Sequence, residues 1–136
     1  MIVLLDLDVL LDFALNRLPF AAPAEKLLKL LESRPGSGFI AWHSLSNFYY
    51  LATAAKGSVS PRDFLVDLAR FVEVAETGTA SFRYAASLPM RDFEDALQVA
   101  AAAACRADVI ATRNLRDYRN SPIKAQAPTD ILSRWI

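Results

Sequence analysis

The stretch Ile2-Val3-Leu4-Leu5-Asp6-Leu7-Asp8 decides the fold, because a run of apolar residues is followed at once by acids. A short continuous apolar run is typical of a strand that is buried on both faces of a parallel sheet. An acid directly after such a strand lies at a buried edge, where an unpaired charge is costly. We therefore expect the first strand to end at Asp6, and we expect Asp6 to have a function.

Outward from this strand, short apolar runs alternate with longer amphipathic ones, which is typical of βαβ units. Further strands are predicted at Phe39–Trp42, Val72–Val74, Asp108–Thr112 and, at an edge, Ile123–Ala125. Helices are predicted at Pro23–Ser33, Ser44–Lys56, Thr79–Ser87, Asp92–Cys105 and Thr129–Trp135, with another that starts at Ser60-Pro61. The pattern predicts a three-layer α/β/α fold with a central, mainly parallel sheet of four to five strands.

The bulk properties agree with one domain over residues 1–136. Lys and Arg number 15, as do Asp and Glu, so the total charge indicates neither nucleic acid nor a membrane as a partner. The single Cys105 excludes an internal disulfide and agrees with a reducing compartment. The opening residues do not resemble a signal peptide, and no apolar run reaches the ~20 residues of a membrane span. We therefore expect a cytoplasmic protein.

Polar side chains follow the strands at their carboxyl ends, where sites lie in open parallel sheets. The first strand leads to Asp6-Leu7-Asp8, the second to His43–Asn47 and the fourth to Thr112-Arg113-Asn114, with Asp117 after it. The segment Asp92-Phe93-Glu94-Asp95 opens a helix on the same side. Mg²⁺ and Mn²⁺ prefer such oxygen ligands. The sequence thus predicts a metal site that activates water and stabilises charge on a phosphodiester.

Some of these acids also fit a purely structural role. Asp92 is in the position of a helix cap, and acids such as Glu94 and Asp95 are favoured in the first turn of a helix. Asp8 and Asp12 also fit solvated loop or cap positions. Asp6 is the residue for which a structural role is hardest to find.

Four segments in order resemble the PIN domain family, and the resemblance is strongest to the VapC-like toxin ribonucleases of prokaryotes. They are Leu4–Asp12, Ser44–Leu51, Asp92–Leu97 and Thr112–Tyr118, and the similarity extends from Ile2 to the final helix. The resemblance implies a Mg²⁺- or Mn²⁺-dependent endoribonuclease with acids clustered over a parallel sheet. It also implies a cognate antitoxin as partner and a homodimer.

The resemblance assigns roles to individual residues. Asp6 matches the first acid of the family, and Asp95 matches the acid in the helix before the fourth strand. The implied catalytic residues are Asp6, Asp95, Asp117 and Asn47, and the implied metal ligands are Asp6, Asp95, Asp8 and Asn114. Arg113, Arg116 and Arg119 form a local cationic surplus that is expected to bind RNA phosphates.

Asn47 departs from the family pattern, because Glu is usual at this position. Either Asp8, which stands where Asn is common, supplies the missing charge, or metal binding is weakened and the protein is a poor or inactive nuclease. The second outcome leaves open a catalytically lapsed PIN fold that binds RNA or a protein.

A haloacid-dehalogenase-like phosphatase is a further alternative, since an apolar strand followed by Asp6-Leu7-Asp8-Val9 also fits its first motif. In that case Asp6 would be a nucleophile and Asp8 an acid/base. That family needs a later lysine, however, and Lys124 is the only lysine after Lys56.

Overall fold

The computed structural model describes residues 1–135, and its centre is a five-stranded sheet with the order β3-β2-β1-β4-β5. The strands are β1 (Val3–Leu5), β2 (Gly38–Ile40), β3 (Val72–Val74), β4 (Val109–Ala111) and β5 (Ala125–Gln126). Every pairing is parallel. The prediction of an α/β fold with a parallel sheet of four to five strands is therefore confirmed.

Helices cover both faces of this sheet. They are α1 (Leu7–Ala14), α2 (Ala21–Glu32), α3 (Trp42–Ala54), α4 (Pro61–Leu68), α5 (Thr79–Ser87), α6 (Phe93–Ala104) and α7 (Pro128–Trp135), and a 3₁₀ turn spans Leu115–Tyr118. Because side chains alternate along a strand, β1 contributes to two separate apolar clusters. One cluster includes Val3, Leu5, Leu27 and Phe48, and the other includes Leu4, Val99, Ala102 and Ile110. The result is a three-layer α/β/α arrangement.

Two helix starts differ from the sequence-based expectation. Helix α1 was not predicted, although Asp6 caps it by accepting a hydrogen bond from the backbone N–H of Leu7. Helix α3 begins at Trp42, so the predicted strand over Phe39–Trp42 is too long and the predicted start of the helix at Ser44 is two residues late. The cap residue is Ala41, whose side chain has no oxygen to offer. The cap at Ser60 is confirmed, with 3.3 Å from its Oγ to the N of Asp63.

The order of the strands positions the site. Strand β1 is central, and Leu5 pairs with Ile40 of β2 and with Ala111 of β4. The residues that follow these three strands therefore leave the sheet side by side. Asp6 is the first residue after β1, and its N–H donates to the carbonyl of Ala111 at 2.9 Å. Ligand sites in open parallel sheets lie at such a point, where the chain turns to opposite sides from neighbouring strands.

Helices long and apolar enough to cross a membrane are not found in residues 1–135.

Candidate active site

Asp6 is held at the end of β1 by two hydrogen bonds. Its Oδ1 accepts from the N of Leu7 at 2.8 Å, and its Oδ2 accepts from the hydroxyl of Tyr118 at 3.0 Å. The residue is only 7% exposed. Burial raises the pKa of Asp6, although hydrogen bonding from Thr112, Leu7 and Tyr118 opposes the shift. Burial therefore dominates, and a charge on Asp6 is costly while no cation lies beside it.

Asp8 lies next to Asp6, in the first turn of α1. Its Oδ2 accepts from the Oγ1 of Thr112 at 3.1 Å and from the backbone N of Arg113 at 3.0 Å. Its Oδ1 is buried and has no hydrogen-bond partner among the described residues. Burial and then the nearby charge of Asp6 raise the pKa of Asp8 to about 6. One oxygen of this carboxylate thus remains available for a ligand.

Asp95 comes to the same edge from the first turn of α6. Its N donates to the Oδ1 of Asp92, which caps the helix, at 3.1 Å. Burial, followed by the charges of Asp92, Asp6, Asp117 and Glu94, raises the pKa of Asp95 to about 7. The charge of Asp6 thus acts on Asp95 although the two residues are far apart in sequence. We call Asp6, Asp8 and Asp95 the acidic cluster.

A cleft of about 540 Å³ opens beside Asp95. Its lining residues are Met90, Arg91, Asp92, Asp95, Arg116, Asp117, Arg119 and Asn120. Arg116, Asp117 and Arg119 are all exposed. The cleft therefore brings guanidinium groups next to carboxylates, as a site for an anionic substrate and a cation requires.

Arg113 lies in a different environment from Arg116 and Arg119. Its Nε donates to the Oδ2 of Asp12 at 2.7 Å, and its Nη2 donates to the Oδ1 at 3.1 Å. The guanidinium also stacks over the ring of Phe20, 4.4 Å from the ring centroid. The side chain of Arg113 is thus engaged away from the cleft, although its backbone N binds Asp8.

The two asparagines of the predicted site are not hydrogen-bonded to the acidic cluster in the described residues. Asn47 is half-buried on α3. Asn114 is exposed, and its backbone N donates to the Oγ1 of Thr112 at 3.1 Å. Asn114 therefore contacts the residue that holds Asp8, whereas Asn47 does not.

Three residues of the site were not singled out from the sequence. Tyr118 binds Asp6 and is 4% exposed, and nothing in a polar loop signals such a contact. Thr112 is fully buried and holds Asp8, and its place at the end of a strand was the available signal. The sequence explained Glu94 only as an acid favoured in the first turn of a helix. Its charge also acts to raise the pKa values of Asp6, Asp95 and His43.

The donor atoms of these side chains suit a hard divalent cation, but they do not form a complete set of ligands. Within residues 1–135, no three His, Cys, Asp or Glu side chains are arranged so that they could hold a metal ion. Mg²⁺, however, commonly binds through one or two carboxylates and completes its shell with water and substrate phosphates. The acidic cluster offers only oxygen donors, and the buried Oδ1 of Asp8 lacks a partner. These residues therefore fit Mg²⁺ or Mn²⁺.

The fold and this edge define an α/β protein with a carboxylate site over the central strand of a parallel sheet. The profile of the PIN domain family matches residues 2–116, which is most of the chain. The chain therefore belongs to the PIN domain family, and the resemblance seen in the sequence is confirmed. Members of this family are generally nucleases. That membership leaves no support for the phosphatase alternative.

Solved structures show the same fold. A chain in the crystal structure of VapBC2 from Rickettsia felis, bound to a DNA fragment from their promoter, is 18% identical with a TM-score of 0.71; the match covers 93% of this chain and 98% of that one. A chain of VapBC-1 from nontypeable Haemophilus influenzae is 16% identical with a TM-score of 0.62, covering 95% and 99%. No sequence among the curated proteins matches this chain.

Proposed function

We propose that this protein is a Mg²⁺- or Mn²⁺-dependent endoribonuclease and the toxin of a type II toxin–antitoxin pair. The acidic cluster carries the proposal: it gathers carboxylates whose pKa values are raised by burial and by the charges of neighbouring acids. Buried like charges are tolerated where a ligand cation balances them. The family membership supports nuclease chemistry at this edge.

Asp6, Asp8 and Asp95 offer the carboxylates, one or two of which would bind the cation directly while water and substrate phosphates would complete its shell, with Asn114 and Asp117 at the margin of the site. When bound, the cation supplies a water of lowered pKa and neutralises charge on the phosphodiester. Asp8 supplies the carboxylate that the family usually takes from the position of Asn47. Its unpartnered Oδ1 supports this exchange of ligands.

The surrounding residues orient these groups and the RNA. Tyr118 fixes one oxygen of Asp6, and Thr112 and the backbone N of Arg113 fix one oxygen of Asp8. Arg116 and Arg119 line the cleft and are placed to bind backbone phosphates. Arg113 contributes through its backbone, since its side chain is paired with Asp12.

A ribonuclease assay with purified protein tests the proposal. We expect cleavage of RNA with Mg²⁺ or Mn²⁺ and none with EDTA. Asp6→Asn should reduce the rate by about 100-fold or more, because residues that only support a metal ligand typically cost ~10–100-fold. Asp67→Asn, an exposed acid on α4, is the matched control and should leave the rate unchanged. Equal rates for wild type and Asp6→Asn would exclude the proposed site.

A catalytically lapsed PIN fold is the second candidate. The neutral Asn47 and the lack, within the described residues, of a complete set of metal ligands favour it. The same preparation distinguishes the two: a lapsed protein binds RNA in the presence of Mg²⁺ but does not shorten it, and Asp6→Asn with Asp95→Ala leaves its binding unchanged.

The proposal extends to partners and location. The structural neighbours come from VapBC complexes, which supports a cognate antitoxin as partner, and we propose a cytoplasmic homodimer. Tyr50 and Leu51 on α3 are exposed apolar residues available for such contacts, at 77% and 49%. A clean monomer in sedimentation at micromolar concentration would contradict the dimer. An adjacent reading frame that encodes a small DNA-binding protein would support the antitoxin.

A further inference from the structure

A second, smaller cleft lies between the first turns of α3 and α5. Its volume is about 170 Å³, and Trp42, His43, Thr77 and Phe82 are among its lining residues. Pockets for drug-sized ligands usually measure ~300–1,000 Å³, so this cleft has room for about one planar ring system. The site assigned above does not use it.

Exposed aromatic rings border the cleft. Trp42 is 68% exposed and Phe82 is 53% exposed. Phe82 is fixed edge-to-face against Phe93, which is itself 46% exposed, with the ring centroids 6.0 Å apart. Proteins that bind single-stranded RNA stack unpaired bases on rings of this kind. These rings therefore offer a stacking surface.

His43 adds a polar group with no partner. Its Nε2 is buried and forms no hydrogen bond within residues 1–135, although the ring lines the cleft. Burial lowers the pKa of His43, so the ring is neutral at pH 7. A neutral imidazole nitrogen either donates or accepts, as the edge of a nucleobase requires. A buried polar atom without a partner is costly, and a ligand that supplies one is stabilised.

The N-terminal ends of two helices lie beside this cleft and favour the binding of an anion there. Helix α3 starts after Ala41, which gives its first turn no side-chain cap, and helix α5 starts at Thr79, next to the lining residue Thr77. Uncapped N–H groups at a helix N-terminus attract phosphate. A base in the cleft would bring its own phosphate to this positive end.

The cleft is also next to the acidic cluster. The charge of Glu94 acts on His43 at the cleft and on both Asp6 and Asp95 at the cluster. Phe93 and Glu94 are consecutive residues in the first turn of α6. Phe93 of the stacking surface and Asp95 of the acidic cluster therefore share the first turn of α6, which is a fitting arrangement for neighbouring nucleotides of one strand.

We propose that this cleft binds one unpaired base of the RNA substrate, stacked on Trp42 and hydrogen-bonded by His43, beside the phosphodiester at the acidic cluster. The inference rests on the proposed ribonuclease function and assigns it a specificity-determining subsite. A protein partner seated on Trp42 is the competing occupant. The unpartnered nitrogen of His43 favours the base.

Fluorescence tests the subsite without catalysis. The chain has two tryptophans, so in a Trp135→Phe background Trp42 is the sole reporter. In EDTA, short single-stranded RNA oligonucleotides should quench it, and oligonucleotides of abasic residues should not. Trp42→Ala should weaken binding by about 5- to 100-fold, the range for loss of one base stack. Trp42→Phe should recover part of the affinity, and His43→Ala should change the ranking among homopolymers of each base.

Tyr49→Ala is the matched control, because Tyr49 is an exposed aromatic on the same helix. It should leave RNA affinity unchanged. Equal affinity for wild type and Trp42→Ala would overturn the subsite. So would a change of sedimenting mass in Trp42→Ala with unchanged RNA affinity, which would assign the surface to a protein partner.

The test separates this inference from the proposed activity. Quenching of Trp42 by RNA in a protein that cleaves nothing would support the subsite and contradict the nuclease. Metal-dependent cleavage with identical products from wild type and Trp42→Ala would support the nuclease and overturn the subsite.

Discussion

Two buried aspartates at opposite ends of α1 have different partners. Asp12 is 2% exposed, binds both Nε and Nη2 of Arg113, and has Arg17 at 3.9 Å. Asp6 is 7% exposed, and it accepts from the N of Leu7 and the hydroxyl of Tyr118, neither of which carries a charge. One carboxylate is neutralised by the protein, and the other is not.

The position of Arg113 shows that this difference does not come from a shortage of cations nearby. Its backbone N binds Asp8 in the acidic cluster, whereas its guanidinium turns to Asp12. Within residues 1–135 the chain therefore pairs Asp12 with a guanidinium, whereas Asp6, Asp8 and Asp95 form no salt bridge. Such an imbalance is typical of functional sites, where pKa values are perturbed by burial and like charges.

The largest expected effect follows from breaking the Asp12–Arg113 pair. Arg113→Met should lower the free energy of unfolding by about 3 kcal/mol, because it leaves the buried charge of Asp12 with only the longer contact to Arg17. Urea denaturation measures the loss. Arg116→Met, which removes an exposed guanidinium from the cleft, should change stability by less than about 0.5 kcal/mol. The double variant Asp12→Asn, Arg113→Met should recover much of the stability, and no recovery would contradict an electrostatic cause.

Removing the charge of Asp6 should raise the free energy of unfolding rather than lower it. Asp6→Asn keeps one oxygen that can cap α1, and its amide N–H can donate to the hydroxyl oxygen of Tyr118, but it removes a buried charge. In EDTA at pH 7 we expect the variant to be about 1 kcal/mol more stable than wild type. Asp12→Asn is the matched comparison and should be less stable than wild type. If both variants lost stability equally, the two aspartates would not differ in the way described.

The smallest expected effect is a pH dependence of the metal-free protein. The pKa values of Asp8 and Asp95 are raised to about 6 and about 7, so between pH 4 and 7 the folded state binds more protons than the unfolded state. Stability must then fall as pH rises through this window. Thermal unfolding in EDTA should show the Tm at pH 7.5 a few degrees below that at pH 5.

Added Mg²⁺ should raise the Tm at pH 7.5 and have little effect at pH 5, because protons compete with the cation for the same oxygens. Asp95→Asn should flatten the dependence on pH. A Tm in EDTA that rises from pH 5 to 7.5 would show that the cluster is neutralised in some other way.

The sequence predicted the sheet and the first acid well, because both depend on local pattern. The apolar run before Asp6 shows a strand buried on both faces, and the acid after it shows where that strand ends. The prediction that Asp6 and Asp95 share one site stays a prediction, and it needed only the rule that helix starts and strand ends share an edge. The start of α4 was likewise predicted from local sequence, because Ser60 and Pro61 are typical of the first positions of a helix.

Contacts that depend on distant segments were not predictable in this way. Tyr118 and Asp6 are 112 positions apart, and Asp12 and Arg113 are 101 apart. No local pattern identifies such partners. The early start of α3 at Trp42 was missed because Ala41 lacks the oxygen by which capping residues are recognised.

The pairing of the first strand with the fourth sets an order for assembly during synthesis. Asp6 leaves the ribosome well before Tyr118, whose hydroxyl fixes its carboxylate. Strand β1 must likewise wait for β4 before its second edge is paired. The nascent chain therefore holds Asp6 without its hydrogen bond from Tyr118 until more than a hundred further residues have been added.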